Sequence, residues 1–290
     1  MAKHRRPIAD VIQQAITLSY TRYRANEGGV VAGHDAEAVH QARVATRRLR
    51  SDLLTFEQFV DEKWAKGLRA ELRWLGADLG AVRDIEVMKE RLTEHTLELP
   101  AVDADAVNRA LRRLDADRYA ARDTLLASMH TPRYAELMAA LADAADQPRL
   151  TQAARRPARN ALAKVVHQRW KKLKKGVDGL GPVPSDEALH AIRIRAKRCR
   201  YAAEACAPVL GKNARRFARE MENVQEVLGL HHDAVVSAAW LAKTAHECPS
   251  GQAYALGRLA QIEHAVALDT RNEFFEVWPA AAHKRLRDWS

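Results

Sequence analysis

Residues 39–50 read VHQARVATRRLR, and residues 189–200 read LHAIRIRAKRCR. The second stretch repeats the first 150 positions on: His40 and His190, Arg43 and Arg193, Arg47 and Lys197, Arg48 and Arg198, Arg50 and Arg200. On an ideal helix of about 100° per residue, His40, Arg43, Arg47 and Arg50 fall in one stripe about 80° wide. Ala42, Leu49, Leu53 and Phe56 gather on the opposite side, where a core face belongs. The second copy behaves alike. His190, Arg193, Lys197 and Arg200 share a stripe, while Ile192, Cys199, Ala203 and Cys206 face away from it. Arg48 stands apart from both faces, and Tyr201 lies beside the second stripe.

Like charges three or four residues apart on a helix repel by a few tenths of a kcal/mol per pair. A merely solvated face would mix signs, yet neither quoted stretch contains a carboxylate. The expected counter-charge is therefore an anion from outside the stripe. Arginine suits phosphate because its planar fork donates two parallel hydrogen bonds. Histidine can donate from either ring nitrogen, and a nearby phosphate favours its charged form.

The repeat extends beyond the motif. Arg5-Arg6-Pro7 matches Arg155-Arg156-Pro157, Arg22 and Arg24 match Lys172 and Lys174, and Lys66 and Arg69 match Arg216 and Arg219. One residue later in register, LGAVRD (79–84) aligns with LGLHHD (228–233). Self-similarity at a fixed offset reads as a duplicated unit. Many of the best matches are basic rather than apolar, so both halves offer cations to one task.

The chain has 290 residues, 47% hydrophobic but 6% aromatic, so its core is mostly Ala, Leu and Val. That composition, with sparse Gly and Pro between periodic segments, favours helices. Helices are expected at about 8–25, 36–59, 64–79, 83–97, 103–130 and 133–145, then 158–175, 186–207, 212–228, 232–247 and 251–275. Prolines mark the joints, Pro208 and Pro279 among them; Pro7 and Pro157 suit first-turn positions, and Asp35 and Ser185 suit N-caps. No segment alternates with period two, so no strand is expected. The expected fold class is all-α: an N-terminal helical bundle over 5–145 and a C-terminal one over 155–290, each of about four or more helices.

Net charge is +10. Residues 1–150 hold 23 charges of each sign, so the excess lies in the second half, densest between Leu150 and Val177. Such a chain attracts polyanions. No apolar run approaches the roughly 20 residues of a membrane span. The N-terminus lacks the apolar stretch of a signal peptide. Cys199, Cys206 and Cys248 lack metal-site spacing and read as reduced cytosolic thiols. His231-His232-Asp233 reads as a helix start, not a metal site, because adjacent residues point about 100° apart. KVVHQRWKKLKK (164–175) could lie on an anionic membrane, but its match to Arg22 and Arg24 favours a cavity wall or rim. No P-loop, nucleophile elbow or H-E-x-x-H is present, and neither enzyme activity nor a cofactor is expected.

The pattern H-x-x-R-x-x-x-R-R-x-R, repeated as H-x-x-R-x-x-x-K-R-x-R and followed by L-G-x-x-[RH]-D, resembles the CHAD domain, the conserved histidine α-helical domain. The resemblance covers nearly the whole chain, from about residue 5, and so implies a single CHAD domain. It implies two bundles related by a pseudo-twofold axis around a basic central groove or pore. It also implies binding of inorganic polyphosphate and residence on cytoplasmic polyphosphate granules. Carried onto this sequence, His40, Arg43, Arg47 and Arg50 would line one side of the cavity, and His190, Arg193, Lys197 and Arg200 the other. Arg22, Lys66, Arg69, Lys172, Arg216 and Arg219 would be secondary contacts. Lys197 departs from arginine, and Arg83 stands opposite His232. The E-x-E-x-K motif of fused triphosphatase members is missing; EMENV (220–224) lacks its lysine, as in a stand-alone form. Two rival readings use the same surface: nucleic-acid binding, which usually adds aromatic platforms, and phosphotransfer through His40 or His190.

Overall fold

The computed structural model describes residues 6–33 and 36–289. Among them are nine α-helices and no strand: α1 (Ile8–Ala32), α2 (Ala36–Thr55), α3 (Glu62–Thr96), α4 (Ala101–Met129), α5 (Pro132–Asp146), α6 (Ala158–Asp178), α7 (Asp186–Leu210), α8 (Lys212–Ala245) and α9 (Ser250–Ala281). The all-α class expected from composition is the class observed. None of these helices is long and apolar enough to cross a membrane.

Local chemistry sets several boundaries. The Asp61 carboxylate accepts the Trp64 N–H at 2.7 Å to open α3, and Thr131 caps α5 with Pro132 in its first turn. The cap expected at Ser185 is in place, its hydroxyl accepting the Ala188 N–H at 3.3 Å. The cap expected at Asp35 lies outside the described residues, as does Arg5. Pro7 and Pro157 sit one position before their helices rather than inside the first turn. Between α7 and α8 the chain turns on Gly211 alone, at φ 85° and ψ −150°, a backbone state side chains resist.

Three expectations are corrected. The breaks at 80–82 and 229–231 do not exist; α3 and α8 run through them. A helix-interior glycine costs only about 1 kcal/mol against alanine, and the helices run on through Gly80 and Gly229 beside arginines of neighbouring helices. A Cβ there would lie 3.5 Å from Arg43 Nε and 3.6 Å from an Arg193 guanidinium nitrogen. Asp233 therefore sits inside α8 instead of at a helix start. Pro208 and Pro279 fall within the last turns of α7 and α9, where one lost donor is tolerated, and do not end them.

Consecutive helices α1 to α4 pack pairwise, and α5 returns to α1 and α3; α6 to α9 repeat the pairwise pattern. The halves meet where α2 packs on α7 and α4 on α9. One large core draws on both halves, and a smaller one joins Leu92, Leu111, Leu241 and Leu256. The predicted core faces of α2 and α7 are buried throughout, from Ala42 and Leu49 to Cys199 and Cys206. The apolar face of α6 is also taken up by the core, since Val165, Val166, Trp170 and Leu173 are buried there.

The buried positions of α3 (Ala65, Leu68, Leu72, Leu75, Leu79, Val82) recur in α8 (Ala214, Phe217, Met221, Val224, Leu228, His231), each 149 residues on. The one-residue slip thus precedes α3. Lys66 and Arg69 are not in register with Arg216 and Arg219, and Arg73 stands in register with Glu222. At the chain's midpoint the Ile8 N–H donates to the Arg156 carbonyl at 3.1 Å, and the Ala158 N–H donates to Arg6 at 3.0 Å. These positions, 150 apart, exchange reciprocal bonds.

Glu263 on α9 is fully buried against α3, 2.7 Å from Arg91 Nε and 2.8 Å from His95 Nδ1. Glu263→Ala strands the Arg91 charge and is expected to cost about 3–5 kcal/mol. Arg91→Met/Glu263→Met should cost markedly less. Urea unfolding midpoints of the two variants check this.

Candidate anion-binding site

The site starts from the packing of α2 on α7. With their apolar faces in the core, both basic stripes are forced toward the junction. Arg43, Arg47, Arg193 and Lys197 lie within electrostatic reach of one another there. All four are half-buried. Arg43 rests on Gly80 of α3, and Arg193 rests on Gly229 of α8. The start of α7 is tied down by Asp186, which lies 3.1 Å from His231 Nε2 and accepts from Arg271 at 2.8 Å. His231 turns into the core, where its Nδ1–H donates to the Ala267 carbonyl at 2.9 Å. His232 turns the other way, and its Nδ1 lies 3.2 Å from Nδ1 of His190.

Counter-charge is sparse at the centre. Arg43 pairs with Asp84 at 2.8 Å, but Asp84 is 68% exposed. Asp233 on α8 serves Arg193, Arg91 and Lys197 together. The Nε of Arg193 is buried and meets no acceptor. Burial, then the neighbouring guanidiniums of Arg47, Arg193 and Arg43, pushes the Lys197 ammonium from the ordinary 10.5 down to about 6. Burial, then His190, Arg193, Lys197 and His231, holds His232 at about 4. His190 is lowered too, first by burial and then by Arg193 and Lys197, and His40 is lowered chiefly by burial, with Glu37 opposing and Arg83, Arg47 and Arg43 adding to the shift. A cavity with these properties stabilises an anion and gives up charge when it has none.

The flanks of the junction differ. A cavity of about 740 Å³ opens between α1, α2, α7 and α8, lined by Arg22, His40, Arg47, Arg48, Arg200 and Tyr201 and also by Asp52, Glu204 and Glu226. Within it Arg48 pairs with Glu204 and lies 3.3 Å from Asp52. Arg200 pairs with Glu204 at 2.7 Å and with Glu222 at 2.5 Å. The Arg47 Nε–H donates to the Tyr201 hydroxyl at 3.1 Å, and the guanidiniums of Arg47, Arg48 and Arg200 lie over the Tyr201 ring. Burial raises Asp52 to about 7. On the other flank Arg50 faces Arg73, Arg69, Arg198 and Arg47.

The stripe residues, with Arg22 and Arg69, are thus brought to one junction and its flanks. Lys172 is exposed and borders a small adjoining notch beside Arg169. Lys66 is exposed on α3. Arg216 and Arg219 instead border a separate shallow cavity among Glu220, Glu222 and Glu226. Sequence reasoning missed Asp84, Asp233, Glu204 and Glu222 as partners, and Arg73, Arg169 and Arg198 as cations. Glu204 had a local signal, four residues after Arg200, Arg198 stands in the quoted motif, and Asp84 and Asp233 close the repeated L-G-x-x-[RH]-D element; Glu222, Arg73 and Arg169 come from other helices and had none.

An all-helical protein in which two arginine-lined helices, α2 and α7, pack against each other is the class that emerges. The family model of the CHAD domain matches residues 14–242, and the chain belongs to that family. It is 33% identical over 242 residues to an uncharacterized protein of Mycobacterium tuberculosis, in strains CDC 1551 and H37Rv. The match covers 80% of this chain and 45% of the relative, so the chain spans about half the length of the curated relatives it matches. Its fold is similar to PptA from Streptomyces chartreusis, with a TM-score of 0.81, 25% identity and coverage of 94% and 100% of the two chains. It is likewise similar to the crystal structure of the CHAD domain from the plant Ricinus communis, with a TM-score of 0.77, 24% identity and coverage of 97% and 94%.

Lys197 generates a pH prediction. Between pH 6 and 10.5 its amine is neutral when folded and charged when unfolded. The unfolded chain binds the extra proton, so this residue's contribution to stability is present above 10.5 and lost as pH falls toward about 6. A bound polyanion restores the charge. Anion binding at pH 7.5 is therefore expected to take up protons, and Lys197→Arg to reduce the uptake. Calorimetric titration in buffers of different ionisation enthalpy measures it.

Proposed function

We propose that this protein binds inorganic polyphosphate by non-covalent, multidentate capture at the α2–α7 junction. In this reading the two halves are copies of one unit about a pseudo-twofold axis, and each copy supplies one wall of a shared basic groove. The observation that carries it is the convergence of Arg43, Arg47, Arg193 and Lys197 from both motif copies, with Arg193 Nε buried and without an acceptor. The cations continue outward through Arg50 and Arg69 on one flank, while His40 and Arg22 line the opposite, carboxylate-bearing flank. A track of that kind suits a linear polymer better than a single phosphate. CHAD membership points the same way, and with it residence at cytoplasmic polyphosphate granules. Binding, rather than catalysis, is our reading of these groups: arginines dominate the junction, and a guanidinium neither attacks phosphorus nor gives up its proton near neutral pH.

Nucleic acid is the second reading, since its backbone is also a polyphosphate. Tyr201 argues against base stacking. Its ring is buried, covered by three guanidiniums, and its hydroxyl is engaged by Arg47. That leaves no free aromatic face beside the stripes for a base to stack on.

A competition titration tests the proposal at about 150 mM salt, where exposed charges are screened beyond about 8 Å. Labelled long-chain polyphosphate should be displaced poorly, per phosphate, by single-stranded RNA, duplex DNA or orthophosphate. Arg43→Glu should weaken binding at least tenfold more than Arg112→Glu on the exposed face of α4. Equal competition by RNA, or equal loss in both variants, would reduce the site to a general polyanion surface.

A further inference from the structure

We propose that the two flanks of the site are electrically unequal, and that polyphosphate docks on the arginine cluster formed by Arg50, Arg69, Arg73 and Arg198, with Arg169 beside it. The opposite flank, in this account, is held closed by its own carboxylates. This inference rests on the polyphosphate reading and adds a direction to it.

The asymmetry follows from positions in register. Arg200 and Arg50 occupy matching places on α7 and α2, as do Arg48 and Arg198. Around Arg200 and Arg48 stand Glu204, Glu222 and Asp52, all in ion-pair contact with them. At the matching places around Arg50 and Arg198 stand Leu54, Arg73 and no acid: Leu54 replaces Glu204, Arg73 replaces Glu222 and Ala202 replaces Asp52. The substitution of Arg73 for Glu222 reverses a charge at one point of the fold. Arg50 reaches α3 beside Arg73, its Nη1 coming within 4.0 Å of a Cβ built at Gly76. Arg169 reaches over from α6, its Nη2–H donating to the Leu54 carbonyl at 2.7 Å. Among the described residues, Arg50, Arg69, Arg73 and Arg198 form no ion pair. At the cluster's edge Glu57 lies 3.6 Å from Arg169 and is 58% exposed, a pairing that contributes little.

Cavity size and charge point to opposite flanks. The 740 Å³ cavity is roomier, but its cations are already answered by carboxylates. A phosphate entering there must displace Glu204 or Glu222 from charge-assisted hydrogen bonds, whereas the Arg50 flank has donors in excess and nothing to displace. The chain would engage the Arg50 flank first, reach the Lys197 centre next, and meet the Glu204–Glu222 barrier last.

Charge reversal at the two matched positions tests this. Full-length protein is titrated with labelled long-chain polyphosphate at about 150 mM salt, with thermal melts reporting folding. Arg73→Glu, and independently Arg198→Glu on another helix, should each weaken binding at least tenfold, against less than twofold for Arg112→Glu. Glu222→Arg should tighten binding at least threefold, against no change for the matched surface control Asp105→Arg. If the Arg73 and Glu222 variants only track their controls while Arg43→Ala/Arg193→Ala abolishes binding, the docking direction is wrong and the polyphosphate site stands. If wild type binds no polyphosphate, or the central double variant binds as wild type does, the functional reading itself fails and this inference with it.

Discussion

The mutual repulsion of Arg43, Arg47, Arg193 and Lys197 is the constraint around which the rest is arranged. Left to themselves these groups would separate into water. Their helices do not permit it, because Leu49 and Leu53 on α2 and Ile192 and Cys199 on α7 are locked into a common core. Apolar burial is worth roughly 25 cal/mol per Å², and two fully buried helix faces outweigh a handful of partly screened repulsions. Arg43 and Arg193 lie against Gly80 and Gly229 of the neighbouring helices, and Asp186 anchors the start of α7 through His231 and Arg271. In the proposed function, an anion releases strain of this kind, and the groups that destabilise the free site become its donors.

The protein moderates that repulsion unevenly. Asp84 and Asp233 temper the centre without neutralising it, and the Lys197 amine relieves the remainder by losing its proton. Replacement of the Arg47 counterpart by lysine is then an electrostatic difference between the halves, because arginine has no comparable means of shedding charge. On one flank Glu204 and Glu222 complete the neutralisation, while on the other Arg73 withholds it. The site thus combines a repeated frame with unequal electrostatics.

Much of the frame was legible in the sequence because helix periodicity is a local property. The stripes, their core faces and the cap at Ser185 all follow from residues within a turn or two of each other. The false breaks at Gly80 and Gly229 arose from reading glycine as punctuation, when a single interior glycine costs a long helix only about 1 kcal/mol and the helix runs on. Matching Lys66 with Arg216 failed for a related reason. Basic residues on exposed positions can coincide in a shifted register, whereas the buried positions of α3 and α8 fix it at 149. The partners of the stripes were the least legible part. Asp84, Asp233, Glu222 and Arg73 sit on α3 and α8, and nothing local marks them as facing α2 or α7.

The central claim is that both motif copies hold the same stretch of one ligand. A double-mutant cycle on polyphosphate affinity, pairing Arg43→Ala with Arg193→Ala, tests it most directly. Coupling of about 1 kcal/mol or more between the two losses is the expected result, as for residues sharing one charged partner. Losses that add to within about 0.5 kcal/mol, the behaviour of independent sites, would contradict it.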